Sequence, residues 1–445
     1  MISADTIYAL SSGGGRAGIA VVRMSGPRSG PVLRGVASKF PGVREFAFVT
    51  FKIPGAGEVI DRGVAVWCPA PNSATGEDIA EFHVHGSEAV LAVLFEVFSG
   101  FDGVRPAEPG EFSRRAYANG KMDLVEVEGL ADLLEARTRS QWRQAMGQFD
   151  GRASAVFEDW RNRLISLIAL VEASVDFSEE EGVSDSAAQG FSHELGSLVR
   201  LMEDSLRQGA NARAIREGVK VVLAGKPNTG KSSLLNALSR RDAAIVSPIP
   251  GTTRDVIEVQ IDLGGMPVLL ADTAGLRSGS GDIVEQLGIE RSYQEIGQAD
   301  VVVWVSSDDV AESHAADDGV LVDLWLRNKS DLVEAAPSPL SGDGGAMLVS
   351  AKSGFGLDEV VDRLTGLVRS KFGRAEQALV VRDRQCVAIT DSIRYLNECQ
   401  DTDFQYPELL AARLRSAADC LARITGRIGV EDWLGDIFSR FCIGK

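Results

Sequence analysis

Apolar residues change their spacing several times along this chain, and each change marks a change of architecture. Up to about residue 118 the apolar runs are short and broken by Gly and Pro, as in Cys68-Pro-Ala-Pro-Asn-Ser73. Ile19–Arg23 and Gly63–Trp67 predict strands, and Ser87–Ser99 predicts a helix, so this stretch reads as mixed α/β. From Leu124 to Val175 apolar positions recur every three or four residues, which predicts a long helical stretch. An acidic, Gly- and Ser-containing break is expected over Glu179–Gly190, then a helical segment from about His193 to Ile215. Short β-branched runs return at Val219–Ala224 and Val268–Ala271, with a helical pattern at Ser233–Leu238 between them. The end of the chain is helical again, over Arg382–Gln400, Pro407–Thr425 and Glu431–Phe441.

This order predicts a multidomain chain, part α/β and part all-α, divided at 1–118, 119–216, 217–375 and 376–445. The last ~70 residues are too few to form a stable domain alone. They are expected to pack against the helices of 120–215, which makes 217–375 an insertion into a helical domain.

Composition narrows the class without naming a function. The chain has 445 residues, and its apolar and charged fractions of 44% and 24% are those of a globular protein. The longest apolar run, Leu164–Val171, stops at Glu172, so no membrane span is expected. Five scattered cysteines, at 68, 386, 399, 420 and 442, point to a reducing cytoplasm rather than a disulfide framework. No zinc-ligand spacing is present; His83 and His85 share a strand face and suit a structural or polar-surface role. A net charge of −17 argues against bulk attraction to nucleic acid. Arginines do gather locally, at 137, 139, 143, 152, 161 and 163 and at 413, 415, 423 and 427, and solvated helix faces explain such runs.

The chemistry sits in the second α/β stretch. Gly225-Lys-Pro-Asn-Thr-Gly-Lys-Ser232 fits the phosphate-binding loop pattern G-x-x-x-x-G-K-[ST], and it lies between a strand-like run and a helical one. The backbone at Asn228, Thr229 and Gly230 can wrap phosphate oxygens, and Lys231 can reach the terminal phosphates. The Ser232 hydroxyl is placed for Mg²⁺, and Ser233 opens the helix beside it. Asp272, Thr273, Ala274 and Gly275 follow the next apolar run. There an Asp can hold the Mg²⁺ shell and a Gly N–H can meet the γ-phosphate. Asn328-Lys329-Ser330-Asp331 reads as N-K-x-D, whose carboxylate accepts from the N1–H and 2-amino group of guanine; adenine offers neither. Ser350, Ala351 and Lys352 complete the base side, with backbone groups toward the guanine O6. GTP is therefore the expected nucleotide, and an ATPase the less favoured alternative.

With these motifs in this order, P-G-E-F-S-x-R-A at 109–116 and the terminal Phe-Cys-Ile-Gly-Lys at 441–445, the chain resembles the tRNA modification GTPase MnmE (TrmE) family along its whole length. The resemblance implies an N-terminal folate-binding α/β domain, a helical domain, and an inserted Ras-like P-loop GTPase domain. It implies a homodimer that works with MnmG, a flavin and NADH enzyme, in a heterotetramer. Their product would be a (carboxymethyl)aminomethyl group on C5 of the wobble uridine of certain tRNAs. A reduced folate, formyl- or methylene-tetrahydrofolate, would supply the one-carbon unit. Arg23, Glu81, Lys121 and Lys445 match the family's folate-binding positions. Taken singly, an Arg or a Glu is as readily a surface ion pair. Cys442 suits either a packed position beside the folate or a thiol role, and it fits a prenylation box poorly.

The resemblance also speaks to hydrolysis. Ras-like enzymes place a Gln after the D-T-A-G glycine to orient the attacking water, and here that position is Leu276. The family's answer is a Glu in the following segment, matched by Glu285, and Arg277 is the second catalytic candidate. K⁺ takes the place of an arginine finger, against Asn228, Ser247, Ile249 and Thr252. Pro248, Pro250 and Gly251 belong to the same nucleotide-contacting loop, and Thr253 would join Ser232 on Mg²⁺. GTP-dependent pairing of two GTPase domains would complete the site. Two other classes remain: a ribosome-assembly switch like the Era or Der GTPases, and a folate-binding scaffold whose GTPase only controls interactions.

Overall fold

The structure is a computed structural model that describes residues 5–176, 183–241, 258–272, 293–310, 319–332, 345–400, 402, 406–428, 431–439, 441 and 443–444. The chain forms two compact units. One comprises Met1–Ala131, Ser154–Arg161 and Leu421–Lys445, and the other Asp132–Ala153 and Asn162–Cys420.

The first unit is built on a six-stranded sheet of order β3-β4-β5-β2-β1-β6. Its strands are β1 (Thr6–Leu10), β2 (Ala17–Ser25), β3 (Ala47–Lys52), β4 (Val59–Cys68), β5 (Ile79–Gly86) and β6 (Val104–Pro106). The pairs are antiparallel except β1 with β6. Inward residues such as Val22, Met24, Phe51, Ala80 and Phe82 form one core with α1 (Ser29–Val36) and α2 (Glu88–Ser99). The predicted strands and helix of this region are present, each slightly longer or shorter than expected.

Helices α3 (Glu111–Ala118) and α4 (Leu124–Glu135) follow the sheet. The P-G-E-F-S motif has a structural explanation there. Gly110 has φ +67°, and a Cβ on it would lie 2.6 Å from the Phe438 carbonyl oxygen, so only glycine fits. Buried Glu111 accepts from Arg105 Nη1 at 2.9 Å and from Arg115 Nη2 at 3.0 Å, and Arg115 also donates to Asp5 and Glu77. Removing one partner from such a network would leave a buried charge unpaired. Phe438 and Phe441 pack with Val127, and Ser11 Oγ donates to the Gly444 carbonyl at 3.0 Å.

The second unit carries the helical connectors and the other sheet. The helical stretch expected from Leu124 to Val175 is three helices, α4, α5 (Arg139–Phe149) and α6 (Arg152–Asp176). A capping box between Thr138 and Gln141 starts α5, and Gly151, at φ +80°, separates it from α6. The acidic break is shorter than expected, because α7 runs Val183–Gly209 rather than beginning near His193. That helix also ends before Ile215. A Cβ at Gly209 would approach the Val380 carbonyl to 2.6 Å, and a separate α8 spans Ala212–Glu217.

The second sheet has the order β12-β11-β10-β7-β9-β8. Its strands are β7 (Val219–Ala224), β8 (Glu258–Leu263), β9 (Met266–Asp272), β10 (Val301–Ser307), β11 (Leu324–Asn328) and β12 (Met347–Leu348). All pairs are parallel except β8 with β9. Helices α9 (Lys231–Arg241) and α10 (Leu357–Phe372) pack on it through Leu234, Leu238, Val360 and Leu364. This is a doubly wound α/β fold, whose ligands bind beyond the carboxyl ends of the strands. Later in the chain, α11 (Asp383–Gln400) and α12 (Pro407–Thr425) are close to the predicted spans, and α13 (Glu431–Ser439), which belongs to the first unit, ends sooner than expected.

Candidate functional site

Parallel register brings the motif residues to one edge. Leu223 on β7 pairs with Asp272 on β9, Trp304 on β10 with Ala224, and Ser307 with Asn328 on β11. The carboxyl ends of these strands therefore share one edge, with β10 and β11 extending beyond the end of β7.

The P-loop geometry follows from its glycines. Gly225 has φ +140° and Gly230 φ +91°. A Cβ at Gly225 would lie 2.2 Å from the Val305 carbonyl oxygen, and one at Gly230 2.4 Å from Asn328 Nδ2. Asn228, at φ +65°, also adopts the left-handed conformation, which Asn tolerates better than most residues. Lys231 curls over the loop, donating to the Gly225 carbonyl at 2.8 Å and the Lys226 carbonyl at 2.9 Å. Ser232 Oγ donates to Asp272 Oδ2, so a hydroxyl and a carboxylate meet at the start of α9, where Ser233 also lies.

The base-side loops are tied to the P-loop by side chains. Buried Asn328 donates from Nδ2 to the Thr229 carbonyl at 2.9 Å and accepts the Ala351 N–H on Oδ1 at 3.1 Å. Lys329 Nζ donates to the Asn228 carbonyl at 2.6 Å and to Asp309 at 2.6 Å. Ser350 Oγ donates to Asp331 Oδ1 at 2.6 Å. That hydrogen bond holds the exposed Asp331 carboxyl below the usual carboxylate range, so an acceptor faces solvent ready for a donor pair. Lys352 adds a favourable charge nearby. Asp309 was not foreseen. The signal was the Asp-Asp pair closing the apolar run of β10, and the Lys329 ammonium holds the Asp309 carboxyl low.

A second site lies in the first unit. Arg23, Glu81 and Lys121, far apart in sequence, line one cavity of about 450 Å³ with Arg44, Cys68, Asn72, Ser73, Ala74 and Ile79. Arg23 and Glu81 face each other across the β2–β5 register, and Arg23 donates to Glu81 Oε1 from Nε at 3.0 Å and Nη2 at 2.9 Å. His83 Nε2 lies 3.3 Å from the other carboxylate oxygen. The His83 hydrogen bond first, and then Arg23, hold Glu81 down at about 2, against the effect of its burial. Glu81 is therefore an ionised acceptor throughout the physiological range. The cavity also contains Cys68, which burial and Glu81 push upward while Arg44 and Arg23 pull it back. Arg44, Asn72 and Cys68 carry no motif, and only the folded sheet brings them to Glu81.

Several candidates lie outside the described residues: Ser247, Pro248, Ile249, Pro250, Gly251, Thr252, Thr253, Thr273, Ala274, Gly275, Arg277, Glu285, Cys442 and Lys445. His83 and His85 pair with Glu81 and Asp61, and among the described residues no cluster of His, Cys, Asp or Glu could hold a metal ion. Most of the gathered arginines have carboxylate partners, Arg143 with Glu376 and Arg163 with Glu194 among them. Among the described residues no helix is long and apolar enough to cross a membrane.

Comparison with known proteins adds to this geometry. Residues 6–121 match the family model described as GTP-binding protein TrmE N-terminus, and residues 124–442 match the one described as MnmE helical domain. A protein of Methylobacterium sp. (strain 4-46) named tRNA modification GTPase MnmE is 45% identical over 444 residues, covering 99% of this chain and 100% of that protein. One of the same name from Bradyrhizobium sp. (strain ORS 278) is also 45% identical over 444 residues, covering 99% of each. Among solved structures, the G domain of the T. maritima FeoB iron transporter is 28% identical, covering 33% of this chain and 97% of that one, but its TM-score of 0.25 adds nothing to the assignment. With both family models matched in sequence order and relatives aligned end to end, the chain belongs to the MnmE (TrmE) family.

Proposed function

We propose that this protein is a GTP hydrolase acting in tRNA modification, and that with MnmG it installs the (carboxymethyl)aminomethyl group on C5 of the wobble uridine. One observation carries the GTPase reading: Asn328 hydrogen-bonds both the P-loop and Ala351, beside Asp331. Phosphate-binding and guanine-reading elements are thereby joined at one rim.

The residues fit the expected groups. At Gly225 and Gly230 a side chain would fill the cradle that phosphates need. Ser232 and Asp272 form a hard-oxygen pair suited to Mg²⁺, the Asp through the metal's water shell. Asn228 offers an amide oxygen for K⁺, and Ser247, Ile249 and Thr252 are proposed as its further ligands. Bound K⁺ would supply positive charge to the phosphates in place of an arginine finger. On binding GTP, Lys231 exchanges the Gly225 and Lys226 carbonyls for phosphate oxygens. Asp331 accepts from the guanine edge, with the backbone of the Ser350–Lys352 loop toward its O6. Glu285, assisted by Arg277, orients the water that attacks the γ-phosphorus, releasing GDP and phosphate.

The cavity at Arg23, Glu81 and Lys121 suits a reduced folate, with Lys445 as a fourth contact. A volume of about 450 Å³ is in the range of small-molecule sites. An ionised Glu81 matches the donor edge of an aminopterin ring, and the cations match carboxylate or formyl oxygens. Exposed Phe46, Phe48, Val43 and Ile19 of the same unit support a homodimer formed through this sheet. Free cysteines suit the cytoplasm, where the tRNA substrates and MnmG are encountered.

The family match along the whole chain favours this reading over an Era- or Der-like switch. The test is mass spectrometry of tRNA nucleosides from cells lacking the gene. Loss of wobble C5 groups, restored by the wild-type chain but not by Glu285→Ala, is expected. Unchanged modification in cells lacking the gene would overturn the proposal.

A further inference from the structure

We propose that Arg44 is a specificity-determining residue of the Glu81 cavity, an exposed lining cation that takes a carboxylate lying beyond the first glutamate of the ligand's flexible tail. The inference rests on the folate reading for the body of that ligand. It extends it to the class carried: folates whose tail bears more than one glutamate.

The first observation is backbone geometry. Arg44 has φ +59°, a left-handed conformation that disfavours a long side chain and persists where the surroundings impose it. Here they do: its N–H donates to the Trp67 carbonyl at 2.7 Å, and Val43 bridges to Trp67 at the end of β4. From this pinned backbone the side chain lines the cavity, where the guanidinium donates to the carbonyl of Asn72, another lining residue.

The second observation is charge. Among the described residues, Arg23, Arg44 and Lys121 line the cavity with a single carboxylate, Glu81. Glu81 is taken up by Arg23 and His83. Among the described residues, neither Arg44 nor Lys121 has a carboxylate within ion-pair distance. Two like charges lining one cavity repel, and an anionic ligand relieves them. The charge of Arg44 is felt inside, since it pulls the Cys68 thiol down against burial and Glu81. Lys121 can serve the first glutamate of the tail and Arg44 a carboxylate of the next glutamate. A guanidinium can hold a carboxylate through two parallel hydrogen bonds where an ammonium cannot.

The experiment is calorimetric titration of the full-length protein and of Arg44→Ala and Arg44→Lys. The probes are tetrahydropteroate, which lacks glutamate, and 5-formyltetrahydrofolate with one or with three glutamates. Wild type is expected to bind the triglutamate about tenfold more tightly than the monoglutamate, the scale of one charge-assisted contact. In Arg44→Ala that ratio should collapse toward one, and Arg44→Lys should keep part of it. A ratio unchanged by Arg44→Ala, or an equal loss for all three probes, overturns the role of Arg44 while the folate reading stands. Failure of wild type to bind any of the three overturns the folate reading and this proposal with it.

Discussion

Asn328 is the residue on which the two halves of the nucleotide site hinge, and Asn328→Ala perturbs little else. The side chain is 3% exposed, donates to the Thr229 carbonyl and accepts the Ala351 N–H. Alanine leaves both backbone groups without that partner. Each unsatisfied buried group costs about 1–3 kcal/mol, and water entering at the rim recovers part of the sum. A net loss of about 2–3 kcal/mol in holding the two loops together is reasonable; nucleotide binding must then restore their arrangement at that cost, which corresponds to a roughly 30- to 150-fold weaker affinity. The assay is titration of a fluorescent GDP analogue, with Asn328→Asp as the intermediate case that keeps an acceptor and loses the donor. The expected order is wild type, then Asp, then Ala. An Asn328→Ala affinity within threefold of wild type, with the fold intact by circular dichroism, would refute a coupling of the P-loop to the base-side loop through this amide.

Other outcomes follow from single residues. Asp331→Asn should shift preference from guanine toward xanthine nucleotides in competition binding, and undiminished guanine preference would count against base reading by that carboxylate. Lys231→Ala should abolish measurable GTP hydrolysis, and retained turnover would remove the lysine from the phosphate site. Gly225→Ala combines φ +140° with a Cβ 2.2 Å from a backbone oxygen, so a clear drop in thermal midpoint of the nucleotide-binding unit is predicted; an unchanged midpoint would contradict the packing described. Glu81 is held down at about 2 from an ordinary 4.5. Its pairing therefore contributes stability that is complete above about pH 4.5 and lost as pH falls toward 2. The stability gap between wild type and Glu81→Gln should be flat from pH 8 to about 5 and close below that. A gap that opens as pH falls would reverse the sign.

How far the sequence revealed this protein depended on how local each signal was. Gly225–Ser232 was legible because strand, loop and helix start lie within a few residues, and the glycines announce the close approaches seen at Val305 and Asn328. The N-K-x-D and S-A-K motifs were legible in type, but not their mutual hydrogen bonds, which need strands β11 and β12 in register. Asp309 escaped because an acidic pair after a strand is also ordinary loop composition. Arg44 escaped because its position depends on a left-handed backbone and on Trp67, neither visible in a pattern of residue types. Helix boundaries failed where a single turn decided them: Thr138 with Gln141 and Gly151 cut one apolar stripe into separate helices without changing its periodicity. The motif at 109–116 marked the family, while its structural role, a buried network around Glu111 and a glycine against Phe438, needed the fold.

Steady-state GTP hydrolysis by the purified full-length protein in matched KCl and NaCl buffers tests the central claim most directly. Hydrolysis strongly raised by K⁺ over Na⁺, and lost in Glu285→Ala while GTP still binds, is the predicted result. Equal, slow rates in the two salts, or full turnover without Glu285, would contradict it.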